Sequence, residues 1–76
     1  MNKDLTIGQR LERLVYNANN YFVWWRLEQE SENLYRFMGG VPEGDRGEVS
    51  MWCAEAPNLL DLLAITWGEG LEDPIP

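Results

Sequence analysis

The sequence predicts a single α+β domain, residues 1–76, in which a helix, a three-stranded antiparallel meander and a second helix form a two-layer sandwich. Three observations predict it: an apolar stripe at helical spacing near the start, stretches of alternating side chains in the middle, and a second helical stripe near the end. Because a meander presents one face for burial, we expect both helices to cover that face.

The first element is predicted to be a helix that begins after Thr6. Its apolar stripe consists of Ile7, Leu11, Leu14, Val15 and Ala18. Thr6 and Gln9, three residues apart, match a capping box, in which each side chain bonds the other residue's backbone N–H. Asn17, Asn19 and Asn20 have low helix propensity, so they are expected to mark the helix exit.

The second element is predicted to be a strand over about residues 21–29, since its side chains alternate at period two. One face carries Tyr21, Val23, Trp25 and Leu27, and the other carries Phe22, Trp24, Arg26 and Glu28. We expect the helices to cover the first face. The second face would then be exposed, and Trp52 of the third strand would lie on it as well. If the helices cover the second face instead, these residues are core.

Two further strands are predicted after a polar turn at residues 30–33. The second strand spans Leu34–Met38 and is expected to end at Gly39-Gly40. Residues 41–47, with a proline and two glycines, are expected to form a flexible loop. The third strand spans Glu48–Cys53.

The last element is predicted to be a helix with Pro57 in its first turn and Gly68 as its C′ glycine. Its stripe consists of Leu59, Leu62, Leu63, Thr66 and Trp67, widened by Leu60, Ala64 and Ile65. Residues 71–76 are expected to be a flexible tail, because Pro74 and Pro76 do not fit a helix.

The charge is strongly negative and unevenly distributed. The chain carries a net charge of −7. Residues 1–26 hold four basic and two acidic residues, a net of +2, whereas residues 27–76 hold two basic and eleven acidic residues, a net of −9. This field disfavours nucleic acid and anionic membranes as direct partners and favours a protein with a basic surface. The alternative is that the charge serves only solubility.

Reactive groups are scarce, so we expect no enzyme activity, cofactor or catalytic residue. The chain has no histidine, one lysine (Lys3, expected at a fraying end) and one cysteine. A Ser–His or Cys–His pair therefore cannot form. Cys53, between apolar neighbours, is expected to be a small core residue. Glu43, Asp45 and Glu48 lack the spacing of an EF-hand loop, so a solvated loop is expected there rather than a metal site.

The sequence also suggests a compartment. Residues 1–4 lead directly into the helical pattern, so we expect no signal peptide. The longest apolar run, residues 21–25, is far shorter than the roughly 20 residues that cross a bilayer. With a single cysteine, this composition is typical of a reducing cytoplasm.

Two groups of residues are candidates for binding a partner. The acidic group lies on two loops: Glu28, Glu30 and Glu32 near the hairpin tip, and Glu43, Asp45 and Glu48 near the next loop. These loops leave opposite ends of the middle strand, so they form one patch only if the longer loop folds back; otherwise they are solvated turns. The aromatic group is Trp24, Arg26 and Trp52, of types that dominate binding hot spots.

The chain resembles two families of small proteins. Its helix–three-strand–helix order, size and acidity are similar to those of some phage anti-CRISPR proteins, which occupy a nucleic-acid-reading site on a Cas protein. The segment Ala54–Leu63, AEAPNLLDLL, is similar to the strand-to-helix entry of HicB-like antitoxins. Both resemblances imply a protein that blocks another protein.

The leading hypothesis is therefore a stoichiometric inhibitor that docks on the basic surface of a nucleic-acid-handling protein, in the host cytoplasm if phage-encoded. Two alternatives stay open: an assembly subunit that homodimerises through its sheet edge or aromatic face, and an antitoxin-like protein that binds a toxin.

Overall fold

A computed structural model describes residues 5–75 and confirms the predicted α+β fold. The elements are α1 (Ile7–Tyr21), β1 (Trp24–Ser31), β2 (Leu34–Glu43), β3 (Glu48–Ala56) and α2 (Leu59–Gly68). The strands form one antiparallel sheet in the order β1-β2-β3. Neither helix in this range is long and apolar enough to cross a membrane. The predicted fraying at Lys3 and the tail residue Pro76 lie outside the described residues.

Helix α1 begins as predicted. The Thr6 hydroxyl accepts a hydrogen bond from the Gln9 N–H at 3.1 Å, and the Gln9 side chain accepts one from the Thr6 N–H at 2.8 Å. The stripe is narrower than predicted, since Leu14 and Ala18 are buried but Ile7 and Val15 are exposed.

The asparagines do not end α1: the side chains of Asn17 and Asn19 find partners outside the helix, and that of Asn20 donates to the Tyr16 carbonyl one turn earlier at 2.8 Å. Asn17 donates to the carbonyls of Leu71 and Asp73, both at 3.0 Å, and Asn19 accepts from the indole N–H of Trp25 at 2.7 Å. The helix therefore continues to Tyr21. The predicted first strand consequently starts three residues late, at Trp24.

The glycine pair lies inside β2 and does not end it. A Cβ on Gly39 would stand 2.6 Å from the ring of Phe22, which caps α1 and packs on the sheet. A Cβ on Gly40 would overlap the Trp24 indole nitrogen, on the opposite face, and would stand 2.7 Å from Val49. Because glycine has no side chain, the ring of Phe22 can pack on the backbone at Gly39 on one face, and that of Trp24 at Gly40 on the other.

The faces of the first strand are as predicted only in part. Trp25 and Leu27 pack against the core and Trp24 is exposed, as expected. Phe22 was expected to face outward, but it is buried because the helix ends beside Gly39. Tyr21 and Val23 were expected under the helices and are exposed, since they belong to the helix end and the junction before β1.

The core is centred on Phe37, which is fully buried in the middle of β2. Its ring centroid lies 5.9 Å from those of Phe22, Trp25 and Trp52. Strand β3 runs three residues beyond its predicted end, because Ala54 and Ala56 are small enough to lie beneath α2. Other buried apolar residues are Leu14, Ala18, Leu62, Leu63 and Leu71.

Helix α2 begins at Leu59, two residues after the proline that was expected in its first turn. Asn58 is its N-cap, and the side-chain oxygen Oδ1 of Asn58 accepts a hydrogen bond from the Asp61 N–H at 2.8 Å. Pro57 therefore precedes the cap. Of the predicted stripe, Leu62, Leu63 and Thr66 are buried, whereas Leu60, Ala64 and Ile65 are exposed.

The C-terminal end of α2 is a Schellman motif at a different glycine from the one predicted. Gly68 is inside the helix, and Gly70, with φ +78°, is the C′ residue. The Gly70 N–H donates to the Trp67 carbonyl and the Leu71 N–H to the Thr66 carbonyl, both at 3.0 Å. This turn directs Leu71 back into the core.

The segment expected to be a flexible tail is anchored by a buried ion pair. The guanidinium of Arg10 binds both carboxylate oxygens of Glu72, donates to the Leu63 carbonyl at 2.9 Å and lies 5.3 Å from the Trp67 ring. The Thr66 hydroxyl lies 2.7 Å from Glu72, which is only 2% exposed. The pair joins α1, α2 and the segment that follows α2.

Candidate protein-binding surfaces

The sheet face away from the helices, here called the open face, has an apolar end and a charged end. Its apolar end consists of Trp24, Met38, Val49, Met51 and Cys53. Arg26 lies in the same row as Met38 and Cys53, and is exposed. Because residues paired across antiparallel strands share a face, the strand register determines this grouping.

The apolar end of the open face is well exposed. Trp24 is 44% exposed, Val49 46% and Met51 65%. Cys53 was expected in the core, but it is exposed, because the register places it on the uncovered face. Large apolar side chains grouped on an uncovered face are typical of a surface that contacts another protein.

The charged end of the open face is a network around Arg36. Its guanidinium donates to Glu30 at 2.7 Å and to Glu28 and Glu55, each at 3.2 Å. Hydrogen bonds to Glu30 and Glu55 raise the pKa of Arg36 above its ordinary value. Since an arginine is already protonated at neutral pH, this charge stays constant over the physiological range. Two of the acidic residues predicted to bind a partner, Glu28 and Glu30, are therefore engaged within the chain.

The remaining predicted acidic residues lie at the two ends of β2. Glu32 is in the β1–β2 turn, and Asp45 is in the β2–β3 turn at the other end. Ten strand residues, at about 3.3 Å each, separate the two turns by roughly 30 Å. Strand pairing continues to the Glu43–Glu48 pair, so the second turn does not fold back. The acidic residues of the two turns therefore do not form one patch.

Trp52 does not join the open face as predicted. It pairs with Gly39 in the register, on the side of the helices, and its ring centroid lies 6.2 Å from that of Phe22. Alternation within β3 places Trp52 with Ser50 and opposite to Met51. Because both faces of β3 carry large apolar residues, the sequence pattern alone did not show which face the helices cover.

Sequence reasoning missed a groove of about 450 Å³ where the C-terminal ends of α1 and α2 meet the sheet. We call it the helix-end groove. Its apolar wall is Tyr21, Phe22, Val41, Trp52 and Leu71, and its polar rim includes Asn17, Asn20, Glu69 and Asp73. No basic residue is among those lining it. These residues are dispersed over 57 positions, so no local pattern identifies them.

Two further acidic residues lie on the same side of the sheet as the groove. Glu43 lies two residues beyond Val41 on β2 and is paired with Glu48 of β3. The Ser50 hydroxyl donates to Glu43 at 2.8 Å. Glu43 and Glu48 therefore lie on the helix side of the sheet, and Glu69 and Asp73 line the groove itself.

Across residues 5–75, no group of three or more His, Cys, Asp or Glu is placed to hold a metal ion. In comparisons with family models, with curated proteins and with solved structures, no match to the chain is found. The surfaces of the molecule are therefore the evidence for its function.

Proposed function

We propose that this protein is a non-catalytic binding protein that inhibits a nucleic-acid-handling protein by occupying a basic surface on it. The observation that carries the proposal is the net charge of −9 over residues 27–76. One of the two basic residues in that stretch, Arg36, is already surrounded by three carboxylates. The field of this part of the chain is therefore strongly attractive to cations.

The target class follows from charge complementarity. Surfaces that bind nucleic acid are rich in lysine and arginine, because they neutralise phosphates. A compact protein that presents carboxylates competes for the same cationic groups. The helix-side residues Glu43, Glu48, Glu69 and Asp73 are exposed and suit this role.

Binding of the target is expected to weaken by at least about tenfold between 50 and 200 mM salt, because ion pairs between exposed groups are screened. The measurement is the dissociation constant of the purified pair, after affinity capture identifies the target, across a salt series. A double-stranded DNA oligonucleotide should compete with the protein for the target. Binding indifferent to salt, or a target that is itself a polyanion, would contradict the proposal.

A second candidate is an assembly subunit that homodimerises, and a specific observation favours it. The apolar end of the open face exposes Trp24, Val49 and Met51 side by side. The outer edges of β1 and β3 are also unpaired within the described sheet. Sedimentation separates the two candidates: a stable dimer at micromolar concentration supports the assembly subunit, and a monomer supports the inhibitor.

Trp24→Ala is expected to weaken binding of the open-face partner by at least about tenfold while leaving cooperative unfolding intact, since exposed tryptophans that a partner covers are frequent interface hot spots. The partner is a second copy if the chain dimerises. Tyr16→Ala, at a similarly exposed aromatic on α1, is the matched control and should leave association unchanged. Loss of cooperative unfolding in the Trp24 variant would identify Trp24 as a core residue instead.

A further inference from the structure

We infer that the helix-end groove receives an arginine side chain from the basic partner. This inference rests on the proposed function and names the place of contact. Two independent features of the groove favour a guanidinium, its electrostatic field and its aromatic wall, and its volume is sufficient to admit one.

The field comes from two helix ends and two carboxylates. Helix α1 ends at Tyr21 and α2 at Gly68, and residues at both ends line the groove. The C-terminal end of a helix carries a partial negative charge that attracts cations. Neither last turn contains a basic residue to compensate it. Glu69 and Asp73 add full negative charges at the rim.

The wall offers aromatic rings to the planar guanidinium. Tyr21 and Trp52 supply the accessible rings, Tyr21 being 57% exposed and Trp52 half-buried, whereas Phe22 is buried behind them. Arginine stacks on aromatic faces and binds carboxylates through a fork of N–H donors, whereas the lysine ammonium is a strongly hydrated point charge. The volume, about 450 Å³, lies within the range of pockets that hold small ligands, roughly 300–1,000 Å³.

The chain uses the same chemistry internally. Arg10 lies over the Trp67 ring and binds a carboxylate, that of Glu72. The groove combines an aromatic wall with carboxylates but has no arginine of its own among its lining residues. The open face is less suitable, because its carboxylates Glu28, Glu30 and Glu55 already bind Arg36.

The test is an NMR titration of the full-length ¹⁵N-labelled protein with a tetra-arginine peptide. A tetra-citrulline peptide, which has the same shape without the charge, is the ligand control. We expect the arginine peptide to shift the indole resonance of Trp52 and the amides of Glu69 and Gly70. The citrulline peptide should shift none of them.

Two matched double variants locate the site. Glu69→Gln with Asp73→Asn removes the rim charges, whereas Glu32→Gln with Asp45→Asn removes the same net charge from the turns. We expect the first pair to weaken peptide binding by at least about tenfold, which corresponds to one charge-assisted hydrogen bond, and the second by less than about twofold. Amide spectra of both variants check that they fold.

The outcomes separate the two proposals. If both pairs weaken binding equally, or if the arginine peptide does not perturb the groove, the groove is not the site and the inference is wrong, although binding to a basic partner still stands. If the full protein binds its captured target without salt dependence, the proposed function is wrong whatever the peptide does.

Discussion

Replacement of Glu72 by alanine is expected to lower the free energy of unfolding by about 3–5 kcal/mol, because it leaves the charge of Arg10 in a largely buried site without its partner. The Thr66 hydroxyl loses the shorter of its two contacts at the same time and keeps only the Leu63 carbonyl at 3.1 Å. For a domain whose total stability is on the order of 5–15 kcal/mol, this loss is severe. Urea denaturation followed by tryptophan fluorescence measures it.

Two companion variants keep the test informative if the alanine variant does not fold. Arg10→Met with Glu72→Leu removes both charges and fills similar volume, so its stability is expected within about 2 kcal/mol of the original chain. Glu12→Ala, at an exposed position of α1, should change stability by less than about 0.5 kcal/mol. A Glu72→Ala protein as stable as the original would show that the pair does not hold the C-terminal segment.

Gly39→Ala is expected to cost about 1–3 kcal/mol, since overpacking forces ring and backbone apart. The new methyl group would lie within 2.6–2.7 Å of three atoms of the Phe22 ring. That ring is buried between α1 and the sheet, so it has little freedom to move. The same urea titration gives the difference in free energy.

A double-mutant cycle identifies the cause of this effect. In a Phe22→Leu background the ring is absent, so the added cost of Gly39→Ala should fall to well under half of its value in the original chain. Gly8→Ala, where a Cβ meets only the Thr6 hydroxyl at 3.8 Å, is the control and should be neutral or slightly stabilising. An equal cost of Gly39→Ala in both backgrounds would exclude the Phe22 contact as its origin.

The element types were predictable because they depend on neighbours along the chain. Thr6 and Gln9 contact each other across one helical turn, and apolar periodicity identifies which residues can share a face. The same alternation placed Trp24 and Arg26 together on one face, but it did not determine whether the helices cover that face. The opposite placement of the two acidic turns followed from the connectivity of a meander.

The ends of helices and strands were less predictable, because they depend on which residues of other elements pack against them. The local sequence predicts that Gly39 and Gly40 end β2, yet they are sites inside the strand where Phe22 and Trp24 approach the backbone. Gly68 and Gly70 have the same local signal for a helix end, and the burial of Leu71 selects Gly70. A glycine indicates conformational freedom or close approach, and only the tertiary contact distinguishes the two.

The sequence by itself therefore determined the number, order and type of the elements, the sign and location of the charge, and the scarcity of reactive groups. Only the tertiary structure decided that Trp52 lies under the helices, that Glu72 is buried, and that a groove forms between the two helix ends. The physical reason is the distance along the chain over which each interaction acts. Periodicity and capping act over a few residues, whereas the groove joins Tyr21, Trp52 and Asp73, which meet only when the helices pack on the sheet.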